Sequence, residues 1–463
     1  MTVEERIKGR KIGIIGMARS GLAAALLAKR FGGAPLVSDS ARAELVAPQT
    51  ETLRQEGIPY ETGGHTEQLL GSDYLIISPG VPPNIDIVVK ARAEGLPIFS
   101  ELEFASWVCR GKIIAVTGSN GKTTTTTLIG EIFKEAGFET WVCGNIGRPF
   151  AEIADKVTES GVAVVEVSTF QLEAIEDFRP HIAAILNLTP DHIDRHGSFE
   201  AYKQMKYRIT ENQAAEDFLI LNHDDPEISA AKISTRAKIL SFSIKPPNSA
   251  NTFVKDDSLF SNYKNRQIKI MKVTEINIPG RHNLQNAATA ALTAVLFDIS
   301  SEVMRKVLKE FPGVEHRLEN TGTVAGVYFI NDSKATNVDS VCVALQSMTR
   351  PVYLILGGRD KGAGYEPIIE VGRDRIKGIL AIGEAREKIF NALGQSFPTQ
   401  FADSLEEAVH RCFELALPGE TVLLSPGCAS FDMFENFEHR GKVFKAVVDS
   451  LRKNKKKDET LSN

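Results

Sequence analysis

The sequence predicts an α/β protein of three consecutive domains, each built on a mostly parallel sheet. Three observations carry this expectation. At 463 residues and about 150 residues per domain, the chain has room for three hydrophobic cores. Short β-branched runs alternate with helical patterns along most of its length, the signature of parallel sheets covered by helices. In the last third of the chain each such run is followed by Gly, Ser, Asp or Lys where the strand should stop, at the carboxyl ends where open α/β sheets bind ligands.

The first series has strands near Lys11–Gly16, Pro35–Asp39 and Tyr74–Ser78, and fades around Pro97–Glu103. A second opens at Lys112–Thr117 and continues through Val162–Val167, Ile182–Leu188 and Asp217–Asn222. The polar stretch Lys245–Asn277 breaks the rhythm and reads as hairpins on a sheet edge. Helical patterns near Asn283–Phe297 and Ser301–Phe311 then stop at Pro312-Gly313. The third series has strands near Val327–Asp332, Val352–Gly357, Gly378–Gly383 and Thr421–Ser425. The tail from Asn454, three successive lysines followed by acids, reads as a solvated, frayed end. No short-period repeat is visible.

Composition narrows the function classes. Hydrophobic residues make up 43% and charged residues 24%, which excludes a disordered or collagen-like chain and a small disulfide scaffold. Lys plus Arg total 54 against 59 Asp plus Glu, a net charge of −5, so the basic footprint of a nucleic-acid binder is missing. A local basic pocket for an anionic substrate remains compatible with that sum. Five scattered cysteines (Cys109, Cys143, Cys342, Cys412, Cys428) without a CxxC pair speak against a disulfide framework or zinc knuckle. Met1–Arg10 is polar, without an apolar signal core, and Leu22–Ala28 is too short to span a bilayer. A cytoplasmic protein with no membrane insertion is expected.

The motif richest in chemistry is Lys112-Ile-Ile-Ala-Val-Thr-Gly-Ser-Asn-Gly-Lys-Thr-Thr124. A strand runs into a glycine turn, then Lys-Thr, then a helical pattern to Ala136. Backbone N–H groups of such a turn, with the helix N-terminus, cradle phosphates; Lys122 reaches the outer oxygens and the Thr123 hydroxyl suits Mg²⁺. The spacing departs from the common phosphate loop, because Val116 stands where its first glycine would be. The plainer reading is a glycine-rich strand–helix turn. Glu166, near the end of the apolar run Val162–Val167, is costly there unless a cation compensates it. It fits the carboxylate that such a nucleotide site uses for Mg²⁺, or an acid paired with an Arg or Lys.

Asn187-Leu-Thr-Pro-Asp-His-Ile-Asp-Arg-His-Gly197 packs two His and two Asp after another strand. His192 reads as a ligand for a second metal, with an acid nearby to orient its ring; alone, such a cluster is a polar turn. Gly13-Ile-Ile-Gly-Met-Ala-Arg-Ser-Gly21 has GxxGxxxxG spacing, a poor match to a dinucleotide fingerprint. Asp39, ending the next strand, can accept from a sugar hydroxyl. Ser78-Pro-Gly-Val-Pro-Pro83 closes the following strand and reads equally well as a tight turn.

Taken together these residues resemble the Mur ligases. Thr117–Thr124, Glu166, Asp191-His192 and His282-Asn-Leu-Gln-Asn-Ala-Ala288 are family marks, shared with folylpolyglutamate synthases. Asn331–Asn337, Leu356–Gly362 and Ser425–Gly441 resemble the member that adds D-glutamate, and the resemblance runs in order along the whole chain to about Ser450. It implies a Rossmann-like domain over residues 1–101 for the UDP part of the substrate. A P-loop ATPase domain over 102–312 and a dinucleotide-fold-like domain over 313–463, which receives D-glutamate and closes on ATP, would follow. The implied reaction is ATP-dependent amide ligation of D-glutamate to UDP-N-acetylmuramoyl-L-alanine through an acyl phosphate, in peptidoglycan precursor synthesis, by a monomer.

Residue by residue, the resemblance assigns Gly118, Ser119, Asn120, Gly121, Lys122, Thr123, Thr124, Asn283, Asn286, Arg317, Asp332 and Lys334 to ATP. Thr123 and Glu166 would hold one Mg²⁺ and His192 a second. Lys206, in Glu200-Ala-Tyr-Lys-Gln-Met-Lys206 on a helical pattern from Phe199 to Gln213, matches a lysine that family members carry as a carbamate. An ammonium beside two Mg²⁺ ions is repelled, whereas a carbamate is an anionic oxygen ligand suited to Mg²⁺; without the resemblance, a lysine snorkelling to solvent is the plainer reading. Lys122, Glu166, His192 and Lys206 are the catalytic set. Asn145 matches a muramoyl contact, and Thr336, Lys361, Ser430, Phe431 and Phe437 match the D-glutamate pocket. Ala18, Arg19, Asp39, Ser40 and Gly80 match the uridine site, where Ala41 replaces a frequent Arg. A sibling ligase adding another amino acid, and a nucleotide sensor that does not ligate, are the competing readings; a substrate panel and substrate-dependent ADP release separate them.

Overall fold

The computed structural model describes residues 2–245, 250–264, 266–362 and 364–461. Its twenty strands are β1 (Lys11–Ile15), β2 (Ala34–Asp39), β3 (Tyr60–Thr62), β4 (Tyr74–Ile77), β5 (Ile98–Ser100), β6 (Lys112–Thr117), β7 (Thr140–Gly144), β8 (Val162–Glu166), β9 (Ile182–Ile185), β10 (Phe218–Asn222), β11 (Lys238–Ser243), β12 (Thr252–Lys255), β13 (Ser258–Tyr263), β14 (Arg266–Lys272), β15 (Glu319–Val324), β16 (Val327–Asn331), β17 (Val352–Gly357), β18 (Ile376–Ile382), β19 (Thr399–Phe401) and β20 (Thr421–Leu424). They form three sheets, ordered β3-β2-β1-β4-β5, then β14-β13-β12-β11-β10-β9-β6-β8-β7, then β15-β16-β20-β17-β18-β19.

The first sheet is parallel throughout. The second is parallel from β7 to β12, with β13 and β14 added as antiparallel edge hairpins. Those hairpins are the ones expected in Lys245–Asn277; residues 246–249 and 265 lie outside the described set. The third sheet is parallel apart from β15 on β16. Central strands such as β4, β8 and β20 are buried at every position, because helices cover both faces of a parallel sheet.

Two compact units emerge: residues 1–188 with 203–275 and 285–309, and residues 189–202 with 276–284 and 310–463. The first holds the first two sheets and the second holds the third sheet. In the second unit, one core packs Val341, Leu345, Leu354 and Ile379, and another packs Phe329, Val422, Leu424 and Phe444.

Six strands escaped the sequence reading. β3, β5 and β19 have three residues each, too few to show a period, and β7, β11 and β15 carry Gly, Ser, Thr or charged residues that dilute the apolar signal. The helix expected over Phe199–Gln213 stops at Tyr207 and passes into a short 3₁₀ turn, Arg208–Thr210. The tail read as frayed continues the last helix, Phe437–Leu461, whose Lys-rich end favours helix; residues 462 and 463 lie outside the described set.

Candidate active site

In the first sheet the strand order reverses around β1, which lies between β2 and β4, and such a reversal leaves a crevice at the carboxyl ends. A cleft of about 490 Å³ lies there, and Ala18, Arg19, Asp39, Ser40, Gly80 and Asn145 are among its lining residues. Asp39 organises the backbone around it: Oδ2 accepts the Met17 N–H at 2.6 Å and Oδ1 that of Ala41 at 2.8 Å. A Cβ on Gly21 would sit 1.7 Å from the Gly16 carbonyl oxygen. The GxxGxxxxG spacing thus serves close packing of the helix Arg19–Arg30 on this turn. Arg19 donates to the Gly147 carbonyl at 3.1 Å, so the loop after β7 joins the wall of the cleft.

The second sheet reverses at β6, flanked by β8 and β9. The phosphate-type turn follows β6, and Gly121 caps the helix Lys122–Glu135 in the left-handed region, φ +83°, with no side-chain cap. A helix N-terminus left without a side-chain acceptor presents N–H groups to an anion. Lys122 folds back onto the Gly118 and Ser119 carbonyls, both at 2.8 Å. Asn187, just beyond β9, props the turn: its Oδ1 accepts the Asn120 N–H at 2.7 Å and its Nδ2 donates to the Asn120 carbonyl at 3.0 Å. Sequence reading quoted Asn187 without giving it a role; an amide ending a strand beside the turn was the available signal. Val116, where a glycine was missed, is an interior strand residue paired with Glu166 and Ala184. Asn286 closes over the turn, its Oδ1 accepting from Thr125 at 3.1 Å and standing 2.4 Å from where a Gly121 Cβ would be.

Glu166, 1% exposed at the end of β8, is fixed from two sides. The Thr123 hydroxyl donates to Oε2 at 2.8 Å and the Asn145 amide to Oε1 at 2.9 Å. Among the described residues, these two neutral donors stand where the sequence suggested a paired Arg or Lys. That oxygen set (a hydroxyl and a carboxylate beside an uncapped helix N-terminus) fits a hard divalent cation. Lys206 is 2% exposed, which overturns the snorkelling alternative. Its Nζ donates to the Gly118 carbonyl at 2.9 Å and contacts the Thr117 hydroxyl at 3.4 Å. Lys203, the neighbouring lysine, pairs with Glu227 at 2.7 Å.

The second unit gathers the remaining residues. Asp332 follows β16 and is fully buried; burial pushes its carboxyl up, opposed by Arg317 at 3.5 Å, the Ser425 hydroxyl at 2.9 Å and the Leu318 N–H at 3.2 Å. Lys334 lies over the Phe437 ring at 4.8 Å. Asp191 holds the loop that carries His192: it accepts from Asn337 at 3.2 Å and lies 3.8 Å from Lys361 and from the His192 ring. His192 itself is left-handed, φ 52°. Lys361 also reaches the Thr336 hydroxyl at 3.4 Å. Ser430 is buried and Phe431 is 64% exposed. Asn283 donates to the Pro279 carbonyl at 2.7 Å, and burial pulls the neighbouring His282 imidazole down to about 3. Arg440 received no role from the sequence, although the quoted motif contains it. Buried, it binds the Ser333 hydroxyl and carbonyl at 3.0 and 2.8 Å and the Cys428 carbonyl at 3.2 Å, and burial lowers it to about 10.

Comparison with known proteins bears on this arrangement. Three family models match: the MurD N-terminal domain over residues 11–87, the Mur ligase middle domain over 116–294, and the Mur ligase, glutamate ligase domain over 316–428. A protein of Koribacter versatilis, named UDP-N-acetylmuramoylalanine--D-glutamate ligase, is 42% identical over 97% of this chain and 100% of its own length. The chain belongs to the Mur ligase family. Relatives of the same name from Thermoanaerobacter pseudethanolicus and Chlorobaculum tepidum are 39% and 42% identical over 96% of this chain, covering 100% and 99% of their own lengths. The fold is also that of solved Mur ligase structures: UDP-N-acetylmuramate-alanine ligase from Thermotoga maritima aligns with a TM-score of 0.61 at 20% identity, over 95% of this chain and 99% of that one. A pseudomurein peptide ligase type C from Methanothermus fervidus aligns with 0.60 at 18%, over 96% and 100%. Among the described residues, no helix of this Mur ligase is long and apolar enough to cross a membrane.

Proposed function

We propose that this Mur ligase joins D-glutamate to UDP-N-acetylmuramoyl-L-alanine at the expense of ATP. The observation that carries the reading is the identity of 42% to relatives bearing that name, over 97% and 96% of this chain. The domain assignment 1–101, 102–312 and 313–463 gives each sheet one ligand: the UDP part of the substrate, ATP, and D-glutamate. The products feed peptidoglycan precursor synthesis, and a reaction that draws on ATP and a nucleotide sugar belongs in the cytoplasm.

The chemistry transfers the γ-phosphoryl group to the alanyl carboxylate, giving an acyl phosphate and ADP. The D-glutamate amine then attacks the acyl carbon, and phosphate leaves the tetrahedral intermediate. The N–H groups at the start of helix Lys122–Glu135 hold the phosphates, and Lys122 turns from Gly118 to the charge developing on the γ-phosphate. Asn283, Asn286, Arg317, Asp332 and Lys334 complete the nucleotide site. Mg²⁺, when bound, neutralises phosphate charge; Thr123 and Glu166 would hold one ion, and His192 with a carbamylated Lys206 a second. Carbamylation is supported by position: Lys122 and Lys206 both donate to the Gly118 carbonyl, and two like charges on one acceptor are disfavoured. The first cleft takes the sugar nucleotide, with Asn145 near its muramoyl end. Lys361, Thr336, Ser430, Phe431 and Phe437 receive D-glutamate, a role for Lys361 that its charge and its contact with the Thr336 hydroxyl at 3.4 Å support.

The decisive experiment measures phosphate release with ATP and UDP-N-acetylmuramoyl-L-alanine, comparing D-glutamate with L-glutamate and other amino acids. Release with D-glutamate alone is expected; release with another amino acid would reassign the chain to a sibling activity.

A further inference from the structure

Glu101 opens the helix Glu101–Val108 directly after β5, and its side chain is fully buried. Its Oε1 accepts the Ala151 N–H at 2.6 Å. Ala151 is the second residue of the helix Phe150–Ile153, whose own N-cap, Pro149, supplies no side-chain acceptor. An N-terminal helix amide buried without an acceptor is costly, so Glu101 caps this helix from another element. That helix ends the loop from Gly144 to Pro149, and Gly144, Asn145, Gly147 and Pro149 all line the 490 Å³ cleft.

A second wall residue meets the same carboxyl. Gln171 lines the cleft and is 1% exposed. Its Oε1 is committed to the Ser168 N–H at 3.0 Å and hydroxyl at 3.1 Å, and its side chain lies against Glu101. No hydrogen bond of ordinary length reaches Glu101 Oε2, and burial pushes the carboxyl up to about 7. A buried acid with one oxygen held only by longer contacts to the Gln171 side chain and the Phe150 N–H is a poor device for stability alone. Next to it the Ser100 N–H donates to the Ala174 carbonyl at 2.7 Å, tying the end of β5 to the segment that carries Gln171.

We propose that Glu101 is a positioning residue for the sugar-nucleotide substrate: it fixes the Gly144–Pro149 loop and Gln171, two walls of the cleft, in their binding arrangement. The proposal rests on the reading of that cleft as the UDP-substrate site. A cap with a stability role only would lower the melting temperature and leave the substrate constants in their wild-type ratio.

The test titrates UDP-N-acetylmuramoyl-L-alanine calorimetrically into full-length wild type, E101A and E101Q, alongside KM for all three substrates. E101A should weaken binding and raise KM for the UDP-linked substrate about tenfold or more, the size of one lost hydrogen bond to a charged group. KM for ATP and D-glutamate should stay within about twofold, and kcat at saturation within about threefold. E101Q is isosteric and reports even where E101A does not fold. It keeps an acceptor for Ala151 but turns an NH₂ toward Gln171, and a loss of about three- to tenfold is expected. Affinity of E101Q within about twofold of wild type, or an equal rise in all three KM values, overturns the role of Glu101. Failure of the wild type itself to bind overturns the assignment of the cleft instead.

Discussion

Replacing Thr123 with valine keeps the shape of the side chain and removes one hydroxyl. In the structure that hydroxyl donates to Glu166 Oε2 at 2.8 Å, between groups 9% and 1% exposed. Water has little access to take its place, so the carboxylate oxygen loses its donor outright. A hydrogen bond to a charged group contributes about 1.5–3 kcal/mol, which corresponds to a fall in kcat/KM of about 10- to 150-fold. Thr123→Ser restores the hydroxyl and should recover activity to within about fivefold of wild type. The assay is phosphate release with saturating UDP-N-acetylmuramoyl-L-alanine and D-glutamate. Because the two groups touch, Thr123→Val combined with Glu166→Gln should fall short of additivity by about 1 kcal/mol or more. Equal losses in the valine and serine variants, or strict additivity in the double variant, would refute the reasoning.

Four further outcomes are expected. Lys122→Ala should lower kcat by about 10²–10³-fold, the cost of losing one preorganised charge contact, with the circular dichroism spectrum unchanged; activity within about tenfold of wild type would reject the phosphate site. Lys206→Ala should nearly abolish turnover, with partial recovery on adding a small carboxylate, and mild mass spectrometry should find an added carboxyl group on Lys206 rather than Lys203. Lys361→Ala and Ser430→Ala should raise KM for D-glutamate far more than KM for ATP; the reverse would reassign the pocket. Burial holds His282 at about 3 against an ordinary 6.5, so the unfolded chain binds a proton that the native state refuses. Stability from this residue is therefore present above about pH 6.5 and lost as pH falls toward 3, by at most about 1.4 kcal/mol per pH unit; His282→Phe should flatten that part of the denaturant-midpoint profile.

Much of the candidate site was legible because its residues are local in sequence. The glycine turn, Lys122 and Thr123 lie on one strand–turn–helix unit, and the chemistry of that unit is written in consecutive residues. Glu166 stood out as an acid in an apolar run, and burial explains why that signal is strong: a carboxylate is not placed there without compensation. The source of the compensation was not legible. Thr123 and Asn145 lie 43 and 21 residues from Glu166, and only the pairing of β6, β7 and β8 brings them together.

The residues that sequence reading passed over share that property. Asn187, Arg440 and Glu101 act through backbone groups far away in the chain, and a backbone partner leaves no trace in side-chain identity. Short or polar edge strands such as β3 and β15 were missed because edge pairing is decided by the neighbouring strand rather than by their own pattern. By itself, then, the sequence determined three α/β domains, a glycine turn between a strand and a helix, the acids and amines of the candidate site and the family to which the chain belongs, since each of these rests on local periodicity or contiguous motifs. The tertiary structure decided the burial of Lys206, the neutral donors that hold Glu166, and the capping of the cleft loop by Glu101. Each depends on which distant backbone and side-chain groups share a desolvated space, and that is settled only when the sheets form.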